Sequence, residues 1–179
     1  MKLNWVFDAS PLIVLGKADL LTTISPLATC WLIPEGVINE VSTKSVIEPI
    51  LTQLSESATT ETRHIDNINS FVANWSLGNG ESEAITLAME NPGCGVVLDD
   101  LQARKCATLL NMPLIGSLGL IIRAKKEGLL ETARPALKKL ILSGLYVDTQ
   151  LMEKILKSME KIRSSNMEGI PGTPYLILS

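Results

Sequence analysis

Residues 5–12 read Trp5-Val6-Phe7-Asp8-Ala9-Ser10-Pro11-Leu12, an apolar run that ends at an acid and passes into a helix start. The run from Leu3 to Phe7 predicts a buried strand, and Pro11 favours the first turn of a helix. An acid directly after a parallel strand lies at the carboxyl edge of the sheet, where ligands bind in α/β proteins. Asp8 therefore predicts a functional site at this edge, although its position also suits a cap for the helix.

Three later apolar runs, residues 30–33, 95–98 and 112–115, predict further strands, and helical patterns follow each of them. The pattern is weaker over residues 44–79, where we expect a helix, then a polar loop or helix end over 55–62, then a second helix over 65–75. Short parallel strands alternating with helices predict an α/β fold, a three-layer α/β/α sandwich with a short-stranded parallel sheet.

The length of 179 residues favours one domain, which we expect over residues 1–164. Its last helices are predicted from Ser117 to Lys126, over 131–142 and over 148–163. Residues 165–179 contain two glycines and two prolines and predict an extended C-terminal tail.

Acidic residues follow or precede several of the predicted strands. Facing carboxylates repel one another unless a divalent cation neutralises them, so the pattern indicates metal-dependent phosphodiester chemistry. Spacing leaves two choices open. One of Glu81 and Glu83 should face the crevice, since side chains two residues apart on a helix point in different directions. One of Asp99 and Asp100 should cap the following helix, for which Asp99 is suited. The candidate metal-binding acids are Asp8, Glu40, Glu81, Glu83, Asp99 and Asp100.

The net charge of −3 and the pI near 5.2 disfavour a general nucleic-acid binder, but basic residues are concentrated after Asp99. Arg104, Lys105 and Arg123 are candidates for contacts with an RNA backbone, and the turn at Ser117 offers backbone N–H groups to a phosphate. The cysteines have no paired spacing and predict reduced thiols in a cytoplasmic protein. No apolar run is long enough for a membrane span.

Taken together, five strings resemble the PIN-domain nucleases, in particular a PIN-like bacterial and archaeal branch often encoded beside small antitoxins. The strings are Val6-Phe7-Asp8-Ala9-Ser10-Pro11-Leu12-Ile13, Ile33-Pro34-Glu35-Gly36-Val37-Ile38-Asn39-Glu40-Val41, Gly80-Glu81-Ser82-Glu83-Ala84-Ile85, Leu98-Asp99-Asp100-Leu101-Gln102-Ala103-Arg104 and Leu114-Ile115-Gly116-Ser117-Leu118-Gly119. The resemblance covers residues 3 to about 160 and implies the PIN-like fold.

The resemblance also implies a function: a Mg²⁺- or Mn²⁺-dependent endoribonuclease acting on single-stranded RNA, the toxin of a toxin–antitoxin pair. It implies catalytic acids at Asp8, Glu40, Glu81 and Asp99, with Glu83 and Asp100 as rivals for the last two positions. A small cognate antitoxin and a homodimer would be its protein partners. Two departures from the family pattern concern activity, because Glu81 stands where Asp is usual and Leu98 replaces Thr or Ser.

Two other function classes compete with the nuclease. A catalytically weak or inactive PIN-like module would bind nucleic acid or protein with the same fold, and metal titration would separate it from an enzyme. A phospho-acceptor receiver domain also carries acids at strand ends. That class needs paired acids after the first strand, whereas this chain has Asp8 alone there and its pair after a late strand.

Overall fold

The sheet is built around β1 (Trp5–Phe7), the strand predicted ahead of Asp8. The computed structural model describes residues 3–44, 47–56 and 59–147. All five strands found there are parallel, in the order β3-β2-β1-β4-β5. The other strands are β2 (Cys30–Pro34), β3 (Thr59–Arg63), β4 (Gly95–Val97) and β5 (Leu114–Ile115).

Helices cover both faces of the sheet, which confirms the predicted α/β/α sandwich. The core of one face joins Val6, Leu32 and Val96 of the strands to Ile85 and Cys106 of two covering helices. The helices are α1 (Ala9–Lys17), α2 (Leu21–Ile24), α3 (Glu35–Lys44), α4 (Ile47–Ser55), α5 (Ser70–Ala73), α6 (Asn79–Glu90), α7 (Leu101–Leu109), α8 (Ser117–Lys126) and α9 (Arg134–Leu142), with a 3₁₀ turn at Ser25–Leu27.

On the other side of the sheet, large aromatic rings stabilise the central strands. Phe7 of β1 stacks on Trp31 of β2, with ring centroids 4.8 Å apart, and both side chains are fully buried. Two such rings remove a large apolar area from water and contact each other closely, so they fix these strands side by side. This packing holds the end of β1, and with it Asp8, in a rigid part of the protein.

The clearest correction to the predicted elements is β3. The prediction of a loop over 55–62 is wrong from Thr59 onward, because these residues pair with β2 from Cys30↔Thr59 to Pro34↔Arg63. The strand lies at an edge of the sheet and is half-exposed or exposed throughout. An edge strand facing water needs no apolar run, and threonine suits extended backbone.

Smaller differences concern helix ends. The helix predicted over 65–75 is limited to α5, and α6 begins at Asn79, two residues before the predicted start at Glu81. The helix from Ser117 to Lys126 is confirmed at both ends. None of the described helices combines the length and apolar character that a membrane crossing needs.

The chain divides into two units, residues 1–145 and residues 146–179. Beyond residue 147 the second unit lies outside the described residues. The helix predicted over 148–163, the domain end at 164 and the tail over 165–179 fall there and stay predictions.

Candidate active site

Asp8 lies where β1 ends, between the carboxyl ends of β1 and β4. Its backbone N–H donates to the carbonyl of Val97, 3.2 Å away, and so continues the pairing of the two strands. The chain leaves β1 toward β2 on one side and returns to β4 on the other. Such a reversal of strand order opens a crevice at the carboxyl edge, where α/β proteins bind their ligands.

The Asp8 carboxylate is almost fully buried, with 2% of its surface exposed. Its Oδ2 accepts a hydrogen bond of 3.2 Å from the backbone N–H of Ser10, so the side chain also caps α1. Asp8 therefore caps α1 and also lies at the crevice, so the two interpretations of its sequence position are compatible.

Glu40 and Asp8 converge over Gly80, in the first turn of α6. A Cβ placed on Gly80 would lie 2.8 Å from Oε2 of Glu40 and 3.2 Å from Oδ1 of Asp8. Both carboxylates therefore face the backbone of α6 at a point that a side chain would fill. Glycine permits this close approach because it has no side chain, a role that the sequence analysis did not assign to Gly80.

Burial raises the pKa of Asp8 to about 7, from a usual value of 3.8. Backbone hydrogen bonds from Ala9 and Ser10 lower it, while the negative charges of Glu81 and Glu40 raise it further. A carboxylate removed from water beside two others is costly to ionise. This part of the crevice therefore favours a positive charge.

Glu81 belongs to the same electrostatic cluster. Burial raises the pKa of Glu81, the backbone hydrogen bond from Gly78 lowers it, and the charges of Asp100 and Glu40 raise it. Its Oε2 accepts that bond at 2.9 Å, an arrangement in which a third-position glutamate caps its own helix. Asp8, Glu40, Glu81 and Asp100 are thus close enough to influence one another.

Lys44 is a charged neighbour of this cluster that the sequence prediction missed. Its ammonium forms an ion pair with Oε1 of Glu40, one helical turn earlier on α3, and 56% of its side chain is exposed. This hydrogen bond raises the pKa of Lys44, and the charges of Asp8 and Glu81 add to the effect. The four-residue spacing was the available signal, because it places two side chains together on a helix surface.

The side chain of Glu83 forms a hydrogen bond with the start of α3. Its Oε2 accepts a hydrogen bond of 2.8 Å from the backbone N–H of Gly36. A carboxylate at a helix start satisfies a free N–H and complements the helix dipole. We call this contact between α3 and α6 the Glu83–Gly36 brace. Glu81 and Glu83 point to different partners, as their spacing predicts.

Asp99 and Asp100 also divide between two helix starts. Asp100 caps α7 by accepting from the backbone N–H groups of Gln102 at 2.7 Å and Ala103 at 3.0 Å. The expectation that Asp99 caps this helix is therefore wrong. Asp99 instead accepts from Ser117 at the start of α8, from its N–H at 2.8 Å and from its hydroxyl at 2.6 Å.

The residues predicted to contact nucleic acid have varied surroundings. Ser117 is fully buried, and Asp99 occupies both its donors. Arg104 donates to the carbonyl of Leu98 at 2.9 Å. Arg123 pairs with Glu127 at 2.8 Å, whereas Lys105 is exposed.

Divalent metal ions suit the donor chemistry of the cluster, since clustered carboxylate oxygens are the ligands that Mg²⁺ and Mn²⁺ prefer. The approach of two carboxylates to the unfilled point over Gly80, one of them buried, supports the same fit. In the described part of the chain, however, no three acidic, histidine or cysteine side chains stand close enough together to bind one ion. Glu40 is instead paired with Lys44, and Glu81 accepts a hydrogen bond from the N–H of Gly78.

The protein is thus of the α/β class, a parallel three-layer sandwich with a group of acids at the carboxyl edge of its sheet. The sequence matches the family model DUF3368, described as PIN domain, over residues 4–161. The chain therefore belongs to the PIN-domain family.

Among solved structures, the chain is similar to a PilT N-terminus domain protein, SSO1118, from the hyperthermophilic archaeon Sulfolobus solfataricus P2. The two share 17% identity and superpose with a TM-score of 0.49 over 73% of this chain and 96% of that chain. No curated protein matches this chain.

Proposed function

We propose that this protein is a Mg²⁺- or Mn²⁺-dependent endoribonuclease that cleaves single-stranded RNA. The observation that carries the proposal is the convergence of Asp8 and Glu40 over Gly80, at the crevice between β1 and β4. Asp8, Glu40 and Glu81 would hold the metal, with Asp100 beside them as the late acid. Asp99, the acid preferred from the sequence, is the weaker candidate because Ser117 occupies it.

Each acid has a distinct task in this proposal. The buried Asp8 is fixed by β1 and by its bond to Ser10, so it orients the site. Glu40 and Glu81 would each exchange a present partner, Lys44 or the Gly78 N–H, for the cation. A divalent ion bound there supplies Lewis-acid activation of water and neutralises charge on the phosphate.

A second candidate function is a PIN-like module that binds nucleic acid or protein but cleaves little. The observation that favours it is the Glu40–Lys44 pair, which already neutralises one of the proposed ligands. Family resemblance alone supports a toxin role, a small cognate antitoxin and a homodimer, and the unpaired cysteines support a cytoplasmic location.

Cleavage of mixed single-stranded RNA tests the leading proposal. We expect cleavage with Mn²⁺ or Mg²⁺, none in EDTA, and a rate lower by on the order of 10- to 100-fold in Glu81→Gln. Glutamine keeps an oxygen for the Gly78 N–H, so the start of α6 is retained. Glu90→Gln, at the exposed far end of the same helix, is the matched control and should cleave normally.

The same preparation separates the two candidates. If wild type neither cleaves RNA nor binds millimolar Mn²⁺ by calorimetry, the binding module replaces the nuclease. Cleavage that persists equally in EDTA and in Glu81→Gln would place the activity elsewhere or in a contaminant.

Lys44→Met should increase Mn²⁺ affinity, because the substitution removes a cation that competes for Glu40. An exposed ion pair of this kind is worth about 0.2–1 kcal/mol, so we expect a gain of up to about fivefold in calorimetry. The control is Lys17→Met, an exposed lysine at the end of α1 remote from Asp8. Unchanged or weaker binding in Lys44→Met would contradict the competition.

A further inference from the structure

An open cleft of about 580 Å³ lies between α3 and the start of α6. One wall is a single face of α3, which includes Asn39, Glu40 and Thr43, since residues three and four apart share a helix face. The opposite wall contains Asn79 and Glu83. A volume of this size is within the range of small-molecule sites.

Glu40 connects this cleft to the acidic cluster. The residue lines the cleft, and its Oε2 also faces the point over Gly80 toward which Asp8 points. A molecule seated in the cleft would therefore adjoin the phosphate that the metal site is proposed to bind. In a nucleic-acid strand, the sugar next to that phosphate carries a nucleobase.

The polar groups of the cleft suit a base better than a phosphate. The side-chain amides of Asn39 and Asn79 are exposed and make no hydrogen bond within the described residues. Glu83 uses Oε2 for the brace and adds another acceptor oxygen. Two carboxylates against the single ammonium of Lys44 repel a phosphate, whereas amides and carboxylates accept from exocyclic amino groups.

We propose that this cleft is a nucleobase subsite, in which Asn39 and Asn79 hydrogen-bond the edge of the base that flanks the scissile phosphate. The subsite rests on the proposed function for its substrate. It favours bases with an exocyclic amino group, which are adenine, cytosine and guanine, over uracil, because its carboxylates can only accept and uracil offers them a single ring N–H between two carbonyl oxygens. Asparagine is in addition a bidentate partner for adenine.

Binding without cleavage tests the subsite separately from the nuclease. Fluorescence anisotropy would compare labelled oligo-A, oligo-C and oligo-U of about ten nucleotides with the full-length protein in EDTA. We expect wild type to prefer oligo-A or oligo-C over oligo-U by about tenfold. Asn39→Ala/Asn79→Ala should reduce that preference to less than about threefold, and each single variant should lie between.

The matched control is Asn67→Ala, an exposed asparagine that does not line the cleft, and it should keep the wild-type preference. An equal preference in wild type and the double variant, or no preference in wild type, would overturn the subsite. A preference that depends on the two asparagines in a protein that never cleaves RNA would overturn the nuclease and retain the subsite.

Discussion

Replacing Asp8 with asparagine is expected to stabilise the metal-free protein at high pH. Asparagine keeps an oxygen for the Ser10 N–H and removes a charge that burial makes costly. Its amide group faces Glu40, which can accept from it. A rise in pKa from 3.8 to about 7 corresponds to roughly 4 kcal/mol at most in the free energy of unfolding.

The sign of the pH dependence follows from the direction of the shift. Below about pH 4 the Asp8 carboxyl is protonated in both the folded and the unfolded state, so charge removal gains nothing. As pH rises toward 7, the unfolded state loses the proton while the folded state keeps it, and wild type becomes less stable. The gain from asparagine should therefore grow over this range and be complete above about pH 7.

Urea unfolding in EDTA at about pH 5 and about pH 8 would measure this gain. Glu131→Gln, an exposed acid in the loop between α8 and α9, should leave the free energy of unfolding unchanged at both pH values. A gain independent of pH, or a loss in Asp8→Asn, would refute the burial argument. Mn²⁺ should stabilise wild type and have little effect on Asp8→Asn, because one proposed ligand is gone.

Gly80→Ala should weaken the proposed metal site and leave the protein folded. The new Cβ would approach Oε2 of Glu40 to 2.8 Å, so one group must move, and the flexible end of Glu40 moves most easily. Alanine favours helix over glycine by up to about 1 kcal/mol, so the protein should stay folded. Mn²⁺ affinity and RNA cleavage should each fall by on the order of 10- to 100-fold.

Gly78→Ala is a matched control for metal binding. It adds the same methyl group two residues earlier, where the nearest contact of the new Cβ would be with Oε2 of Glu81 at 3.5 Å, an ordinary van der Waals distance. Calorimetry should show Mn²⁺ affinity close to wild type for Gly78→Ala and much weaker for Gly80→Ala. Equal affinities in the two variants would mean that the point over Gly80 is not part of the metal site.

The buried elements of the fold could be predicted from the sequence because burial leaves a clear pattern. Strands β1 and β4 are continuous apolar runs, and α8 is bounded at the predicted residues. Strand β3 could not be predicted in this way, since its pairing with β2 is a long-range contact made by polar residues at a sheet edge. A pattern that detects burial does not detect such a strand.

The acids of the candidate site could be proposed from the sequence, but the direction in which each acidic side chain points could not. Sequence spacing indicates that Glu81 and Glu83 diverge, yet the choice between them depends on which backbone N–H each one meets after folding. The same holds for Asp99, which meets Ser117 only because β4 and β5 are neighbours. Tertiary contacts of this kind leave no periodic signal.

The Glu83–Gly36 brace has a consequence for how this part of the chain can evolve. Each residue from 78 to 83 already has a structural role. Gly78 donates its N–H to Glu81, Asn79 lines the cleft, and Gly80 leaves room for two carboxylates. Glu81 belongs to the acidic cluster, Ser82 is buried, and Glu83 forms the brace. A change at one position disturbs the helix that carries the others. Substitutions that alter substrate preference are therefore better tolerated on the exposed face of α3. Asn39 and Thr43 lie there and can vary without loss of the contact that joins the two helices.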